Sequence, residues 1–213
     1  MDKDAPYRKE RREVARFMRR LYRQGLTTTS GGNISIKINP DLIAITPSAT
    51  DKGRMKWREV GLMTMDGKNL TPGLKPSIEH EMHLSIYRKK EEVSAIVHAH
   101  PLFASAFTAM KTVINTNLTS EARAICGEPF MVPYALMGTE ELASLASEGI
   151  LKSDILLLEN HGVLAAGNSM LQAFDRLEVL ENAARMTMIV DIAGNSKPLG
   201  KSRIREIDRL FRR

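Results

Sequence analysis

Two histidines separated by a single alanine, His98 and His100, end the apolar run SAIVHAHP. In a β-strand, alternate side chains lie on the same face, so these imidazoles would be about 6.5 to 7 Å apart along the backbone. Two imidazoles at that spacing can bind one metal ion without distorting the chain. The alternative is a strand end in which one histidine is hydrogen-bonded and the other is exposed.

His161 is the predicted third ligand of such a site. A catalytic zinc ion takes about three protein ligands and keeps one position open for water or substrate. The segment ENHG ends another apolar run in a tight turn, which can present a side chain beyond the sheet. The remaining histidines, His80 and His83 in EHEMH, lack the i, i+4 spacing of the zinc-protease motif. We interpret them as packing or capping residues of a helix.

Glu79 follows Ser77 at the start of that helix. The helix dipole favours a carboxylate in a first turn, so this position needs no functional explanation. A carboxylate close to a metal ion can nevertheless move a proton. Glu79 is therefore the candidate acid/base group.

The segment TTTSGGNISI contains a candidate anion site. Two adjacent glycines allow successive backbone N–H groups to face one way, and Thr29, Ser30 and Asn33 add side-chain donors. Because no Walker lysine follows, this is not an NTPase loop. The alternative is a plain turn before a strand. Further donors to the same anion could come from TPSATDKG and from Ser77.

The first half of the chain is predicted to place these residues on hairpins and helices. Residues 7–24 have apolar side chains at helical spacing, and SIEHEMHLSIYRKK is predicted to be a helix that begins at Ser77. ISIKI and LIAIT predict a hairpin, and GLMTMDGKNL predicts a second pair of strands that turns at Asp66 and Gly67. VSAIVHAH is predicted to be a strand.

The second half of the chain continues the pattern. LFASAFTAM is predicted to be helical, PFMVPYAL extended, and TEELASLASEG a helix capped by Thr139. DILLLENHGVLAAG predicts a hairpin, and a long helix runs from a Ser169 cap to Gly194, followed by a basic helical tail. Since hairpins dominate, we expect one α/β domain with a largely antiparallel sheet.

Composition narrows the class of protein. The chain has 213 residues, of which 43% are hydrophobic and 26% charged, as in ordinary soluble proteins. A single cysteine, Cys126, excludes an internal disulfide, and neither a signal peptide nor an apolar stretch of about 18 residues is present. We therefore expect a cytoplasmic protein that does not bind a membrane.

The net charge of +6 is concentrated at the two ends of the chain. It raises the alternative of a non-catalytic scaffold or nucleic-acid-binding protein. No zinc-finger spacing, basic-zipper region or aromatic RNA-binding motif is present, so we expect no nucleic-acid partner.

The motifs together, and in this order, resemble the class II aldolase/adducin family, specifically its zinc-dependent sugar-phosphate aldolases. The stretches that carry the resemblance are GLTTTSGGNIS, AITPSATD, KPSIEHEMHLSIY, AIVHAHP, VPYALMGTEELA and LLLENHGVLAAG. The resemblance implies one domain over residues 1–213, folded as a three-layer α-β-α sandwich with a central, mostly antiparallel sheet. It also implies a homotetramer with its active sites at subunit boundaries.

The same resemblance implies roles for individual residues. One Zn²⁺ per subunit would be bound by His98, His100 and His161. Glu79 would be the catalytic acid/base and a possible fourth ligand when substrate is absent. The residues implied to hold the substrate phosphate are Ser30, Gly32, Asn33, Ser48 and Ser77. The implied reaction is retro-aldol cleavage of a ketose 1-phosphate, L-fuculose 1-phosphate or a related deoxy-sugar phosphate, to dihydroxyacetone phosphate and an aldehyde.

Several positions depart from the pattern of the fuculose enzymes. Ile78 stands in place of a second serine and Ala49 in place of a common glycine, so both bear on the phosphate and substrate site. The position of an upstream tyrosine aligns with Glu121, a speculative substitute, and no tyrosine follows Tyr134. The family's epimerases carry aspartate at position 79, which favours an aldolase here. A methylthioribulose-1-phosphate dehydratase remains the alternative within the family.

Overall fold

The computed structural model describes residues 6–211, and these residues form seven strands and seven α-helices. The strands are β1 Asn33–Asn39, β2 Leu42–Ile45, β3 Gly61–Thr64, β4 Ala95–Ala99, β5 Phe130–Val132, β6 Ile155–Leu158 and β7 Gly162–Gly167. The helices are α1 Arg8–Arg23, α2 His80–Lys89, α3 Leu102–Thr108, α4 Ser120–Cys126, α5 Glu140–Gly149, α6 Met170–Ala193 and α7 Lys201–Leu210.

All seven strands belong to one sheet with the order β3-β2-β1-β4-β7-β6-β5. Every neighbouring pair within it is antiparallel except β5 and β6, which are parallel. The predicted antiparallel sheet is therefore confirmed. Strand β4 lies at its centre, where His98 pairs with Asn33 of β1 on one side and with Leu164 of β7 on the other.

Helices cover both faces of the sheet. One apolar cluster joins the sheet to α1, α3, α4 and α6, and the other joins it to α2 and α5. Along β4, Val97 belongs to the first cluster and Ile96 to the second, as the two-residue repeat of a strand requires. The prediction of a three-layer α-β-α sandwich is confirmed.

Two helices have the ends that the sequence predicted. The hydroxyls of Thr139 and Ser169 accept hydrogen bonds from backbone N–H groups in the first turns of α5 and α6. Gly194 ends α6 in the left-handed conformation, with φ of 66°. None of the helices in the described part of the chain is long and apolar enough to cross a membrane.

Two local predictions were wrong. Helix α2 begins at His80 and not at Ser77, because the Ser77 hydroxyl accepts from the Glu79 N–H and closes a turn that precedes the helix. The second strand after Asp66–Gly67 is also missing. Only one bridge, between Met63 and Asn69, follows that turn, because the Asn69 side chain bonds the backbone of the next residues into an irregular loop.

Candidate active site

Strand β4 and the turn between β6 and β7 bring three histidines together. His98 and His100 have ring centroids 4.9 Å apart, and the His161 ring lies 4.9 Å from His98 and 5.3 Å from His100. One nitrogen from each ring lies within 4.8 Å of the others. His161 reaches this position because Asn160 turns the chain with φ of 53°, a conformation that asparagine tolerates.

Gly162 permits the close approach of the two segments. A Cβ atom at this position would lie 2.4 Å from Cδ2 of His100 and 2.8 Å from the carbonyl oxygen of Ala99. No side chain fits there unless the end of β4 moves. The glycine in ENHG therefore sets the spacing between His100 and His161.

The carboxylate of Glu79 faces the same cluster. Its Oε2 lies 3.3 Å from Nε2 of His98 and its Oε1 lies 3.3 Å from Nε2 of His161. Oε2 also accepts a hydrogen bond of 2.8 Å from the Asn33 side-chain amide. Oε1 is buried and has no hydrogen-bond partner in the described part of the chain. A buried carboxylate oxygen that makes no hydrogen bond is suited to contact a cation or a ligand.

These donors fit a metal ion. The His98 Nδ1–H donates to the Val163 carbonyl at 2.9 Å, which leaves Nε2 of that ring free to act as a ligand. Three imidazole nitrogens with a carboxylate beside them match the donor set of a catalytic divalent-metal site with an open position. The His98, His100 and His161 cluster can therefore hold a metal ion, with Glu79 next to it.

Electrostatics couple these groups tightly. Burial would raise the pKa of Glu79, but His98, His161 and the Asn33 amide hold it well below its usual range. Burial would lower the pKa of His98, but Glu79 and the Val163 carbonyl raise it. Burial and the other histidines lower the pKa of His100 to about 3 and that of His161 to about 4. Glu79 and His98 therefore stabilise each other's charged form, and a metal ion bound at the histidine nitrogens would compete with protons for them.

The glycine loop before β1 lies against the histidine strand. Gly32 has φ of 67°, and a Cβ atom there would lie 2.7 Å from the His98 carbonyl oxygen. A Cβ atom on Gly31 would lie 3.1 Å from Nδ1 of His100. Ser30 is exposed beside these glycines. The loop therefore lies next to the three-histidine cluster, where an anion bound to the loop would be close to those rings.

Two further segments with predicted phosphate-binding residues lie together. Pro47 and Pro76 form an isolated bridge, and the Ser48 hydroxyl accepts from the Ile78 N–H at 3.2 Å. Ser77 is buried three residues before the first residue of α2. Ala49 occupies the left-handed region at φ of 52°, where glycine would be unstrained.

Lys52, which the sequence analysis did not single out, joins these segments to the glycine loop. Its backbone N–H donates to the Thr29 carbonyl, and its Nζ donates to the Pro47 carbonyl at 2.6 Å. The side chain is buried, and burial lowers its pKa to about 8. The burial of this lysine could not be predicted from the sequence, because it lies in a loop of small polar residues.

Three further residues predicted for the substrate site, Asn33, Ile78 and Glu121, lie in environments that differ from one another. The Asn33 side chain is buried and bonds to Glu79 and His83. Ile78 is 51% exposed and packs against Gly138, which lies just before α5. Glu121 is exposed in the first turn of α4, in the helical layer on the opposite face of the sheet from α2. One chain therefore does not bring Glu121 to Glu79.

The sequence predicted that His83 only packs or caps a helix, but in the structure both nitrogens of its ring have hydrogen-bond partners. His83 is fully buried and bonds to Asn33 and to the Ser35 hydroxyl, which also bonds to Tyr87. The i, i+4, i+8 spacing of Glu79, His83 and Tyr87 was the available signal, because it places them on one face of a helix. His80, in contrast, is the first residue of α2, and its Nδ1 lies 2.7 Å from the Ser77 carbonyl oxygen; it does not cap the helix, whose N-terminus has no side-chain hydrogen bond at the N-cap.

Comparison with known proteins identifies the family. The model for the class II aldolase and adducin N-terminal domain matches residues 12–188. A 5-deoxy-D-ribulose 1-phosphate aldolase from Bacillus thuringiensis is 32% identical over 205 residues, which cover 95% of each chain. A 3-oxo-tetronate 4-phosphate decarboxylase from Haemophilus influenzae is 31% identical over 172 residues, which cover 79% of this chain and 81% of the relative.

A solved L-fuculose 1-phosphate aldolase has the same fold. It superposes with a TM-score of 0.87 at 28% identity, and the match covers 96% of this chain and 97% of that one. The sequence match and the fold agree over nearly the whole length. The chain belongs to the class II aldolase and adducin family and is a lyase of that family.

Proposed function

We propose that this protein is a zinc-dependent aldolase that cleaves a ketose 1-phosphate with a terminal methyl group into dihydroxyacetone phosphate and an aldehyde. The observation that carries the proposal is the convergence of His98, His100, His161 and the Glu79 carboxylate beside a glycine loop. The three histidines would hold the ion, and Glu79 would be free to act as a fourth ligand when substrate is absent.

Each part of the site then has a task. When bound, the ion polarises the substrate carbonyl and offsets the negative charge left when the carbon–carbon bond breaks. Glu79 delivers a proton to the carbon that carried that bond, and removes the same proton in the condensing direction. The distances of 3.3 Å from its two carboxylate oxygens to His98 and His161 support this role.

The loop residues would position the phosphate. Backbone N–H groups around Gly32 and the Ser30 hydroxyl form one side of the anion site. Ser48 and Ser77 accept backbone hydrogen bonds, so each hydroxyl proton remains available to a phosphate oxygen. Holding the phosphate in register with the metal ligands lowers the entropic cost of reaching the reactive geometry.

The terminal methyl group is the feature of the substrate that the chain supports best. The relative that matches 95% of this chain is named for a 5-deoxypentulose phosphate. Ile78, where the fuculose enzymes have a serine, is exposed beside the proposed phosphate residues Ser48 and Ser77, so it bears on the phosphate end of the substrate and not on the methyl group.

Decarboxylation of a phosphorylated 3-oxo acid is the second candidate, since a relative at 31% identity carries that name. Both reactions break a bond between the carbon next to a carbonyl and a further carbon, and both leave an enolate-type negative charge. Release of carbon dioxide would identify decarboxylation. A dehydratase, the alternative within the family, would instead retain all the carbons of the substrate in one product.

The experiment is a substrate panel with the metal content measured in parallel. We expect the purified protein to bind about one zinc ion per chain. We expect 5-deoxyribulose 1-phosphate and fuculose 1-phosphate to yield dihydroxyacetone phosphate, detected by a coupled reduction. A chelator should abolish turnover and zinc should restore it. Glu79→Gln should keep the metal and lower kcat by about 100-fold or more.

Two results would contradict the proposal. Near-normal cleavage by Glu79→Gln would remove Glu79 from the acid/base role. If the protein contained no zinc and bound DNA with a steep salt dependence, the alternative hypothesis that its basic ends bind nucleic acid would be favoured.

We also propose that the protein assembles as a homotetramer whose active sites lie at subunit boundaries. Large apolar side chains exposed on this chain support an assembly, among them Leu102, Tyr134, Leu136 and Met137. A neighbouring subunit could also supply the group that exchanges a proton with the aldehyde oxygen. Light scattering during size-exclusion chromatography measures the oligomer directly, and a monomer at micromolar concentration would overturn this proposal.

A further inference from the structure

A continuous chain of buried hydrogen bonds leads from Glu79 away from the metal ligands. The Asn33 amide nitrogen bonds to Glu79 Oε2 at 2.8 Å, and the Asn33 amide oxygen lies 2.5 Å from Nε2 of His83. Nδ1 of His83 lies 2.7 Å from the Ser35 hydroxyl, which lies 2.7 Å from the Tyr87 hydroxyl. All five side chains are buried.

Strand β1 and helix α2 hold these hydrogen-bonded side chains in a row beside the proposed metal ligands. Asn33 and Ser35 are two residues apart on β1, so both face α2. His83 and Tyr87 are one helical turn apart on α2, so both face the sheet. Because Asn33 pairs with His98 across the β1–β4 ladder, the polar row and the histidine row are on neighbouring strands.

The hydrogen bonds in this row have a single direction. An ionised carboxylate only accepts, so Asn33 donates its amide N–H to Glu79 and presents its oxygen to His83. His83 must then donate from Nε2, which leaves Nδ1 as an acceptor for the Ser35 hydroxyl.

The hydrogen bond between Ser35 and Tyr87 is the last one in the row. Since Ser35 has given its one proton to His83, its oxygen accepts from Tyr87. Burial raises the pKa of the Tyr87 hydroxyl and lowers that of His83 to about 3, so Tyr87 stays protonated and the His83 ring stays neutral.

We propose that His83 is a positioning residue for the acid/base step: Ser35 and Tyr87 fix its Nε2–H tautomer, and that tautomer orients the Asn33 amide so that it donates to Oε2 of Glu79. Oε2 is thereby occupied, and Oε1, which has no such partner in the described residues, is the oxygen left to exchange a proton with substrate. The proposal rests on the proposed function for the role of Glu79, but the tautomer does not depend on it.

The first test is spectroscopic. Protein labelled with ¹⁵N in its histidines and loaded with zinc is measured by long-range ¹H–¹⁵N correlation, with His83 assigned from the His83→Gln variant. We expect a neutral His83 ring with the proton on Nε2. A proton on Nδ1, or on both nitrogens at pH 7, would overturn the proposal.

The second test compares two substitutions of the same residue. Gln at position 83 can donate from a nitrogen near the place of Nε2, whereas Leu fills the space and donates nothing. We expect His83→Leu to lower kcat by about 10- to 100-fold with little change in KM, and His83→Gln to recover most of that loss. Both variants should retain the zinc content of the wild type.

A matched control is Ser147→Ala, which removes a buried serine hydroxyl that bonds only within α5. It should leave kcat unchanged. Equal kcat for His83→Leu and the wild type would overturn the positioning role. If no substrate is cleaved by the wild type, the proposed function fails, and the tautomer measurement still decides whether the hydrogen-bond row is as described.

Discussion

At the scale of single residues, the clustering of His98, His100 and His161 was predictable from the sequence, and the hydrogen bonds that support Glu79 were not. Strand alternation alone placed His98 and His100 on one face, and the turn signal at Asn160–Gly162 added His161. The partners of Asn33 and His83 lie on different elements, so their contact follows from the packing of α2 on β1 and from no local pattern. Pairings of this long-range kind are set by tertiary structure.

Gly162 gives a residue-scale prediction. In Gly162→Ala the new methyl group would overlap His100 and the Ala99 carbonyl, so the end of β4 must shift. We expect zinc affinity to fall by about 10- to 100-fold, since the ligand spacing changes. Overpacking should also cost about 1 to 3 kcal/mol of unfolding free energy. Competition with a chromophoric chelator measures the affinity.

The control for this prediction is Gly73→Ala, because a Cβ atom at Gly73 has open space around it. It should bind zinc as the wild type does. An unchanged affinity in Gly162→Ala would show that β4 and the β6–β7 turn can separate without disturbing the ligands.

At the scale of elements, helices with caps and hairpins with turn residues were predicted well. The failures came where side chains bond to the backbone: Asn69 diverts the chain after β3, and Ser77 closes a turn before α2. Such bonds compete with regular structure over two or three residues. Periodicity averages over longer stretches and does not detect them.

The last helix gives the element-scale prediction. None of the described residues of α7 is buried, but Asp208 accepts two hydrogen bonds of 2.7 Å from the Arg123 guanidinium of α4. These bonds raise the pKa of Arg123. We expect Asp208→Asn to loosen α7 and speed its proteolysis by about tenfold.

Glu206→Gln is the matched control, since it removes a negative charge from the same helix at an exposed position. Mass spectrometry of the first fragments locates the cleavage. If both variants are cleaved at equal rates, the Arg123–Asp208 pair does not hold the helix in place.

At the scale of the whole molecule, the buried His83 ties global stability to pH. Its pKa is about 3 in the fold and about 6.5 in an unfolded chain. As the pH falls below 6.5, the unfolded chain binds a proton that the folded chain does not, so the free energy of unfolding decreases. This loss should reach about 2 kcal/mol by pH 5.

Urea unfolding of the metal-free protein at pH 7.5 and pH 5 measures this effect. His83→Gln has no titrating group at this position, so it should lose about 2 kcal/mol less than the wild type over the same interval. Equal losses in the two proteins would mean that His83 does not contribute to acid sensitivity.

The central position of β4 has a consequence for the order of events during synthesis. Glu79 precedes β4, His98 lies on it, and His161 is added only after β6, on the far half of the sheet. A nascent chain that ends within β6 holds two of the three imidazoles, and one that ends at His161 holds all three but lacks β7, the strand that pairs with both β4 and β6. The three-histidine site is therefore complete only once the chain has been synthesised past His161 and β7 has paired with β4. We therefore expect binding of the proposed metal ion at full affinity only after β7 has paired with β4.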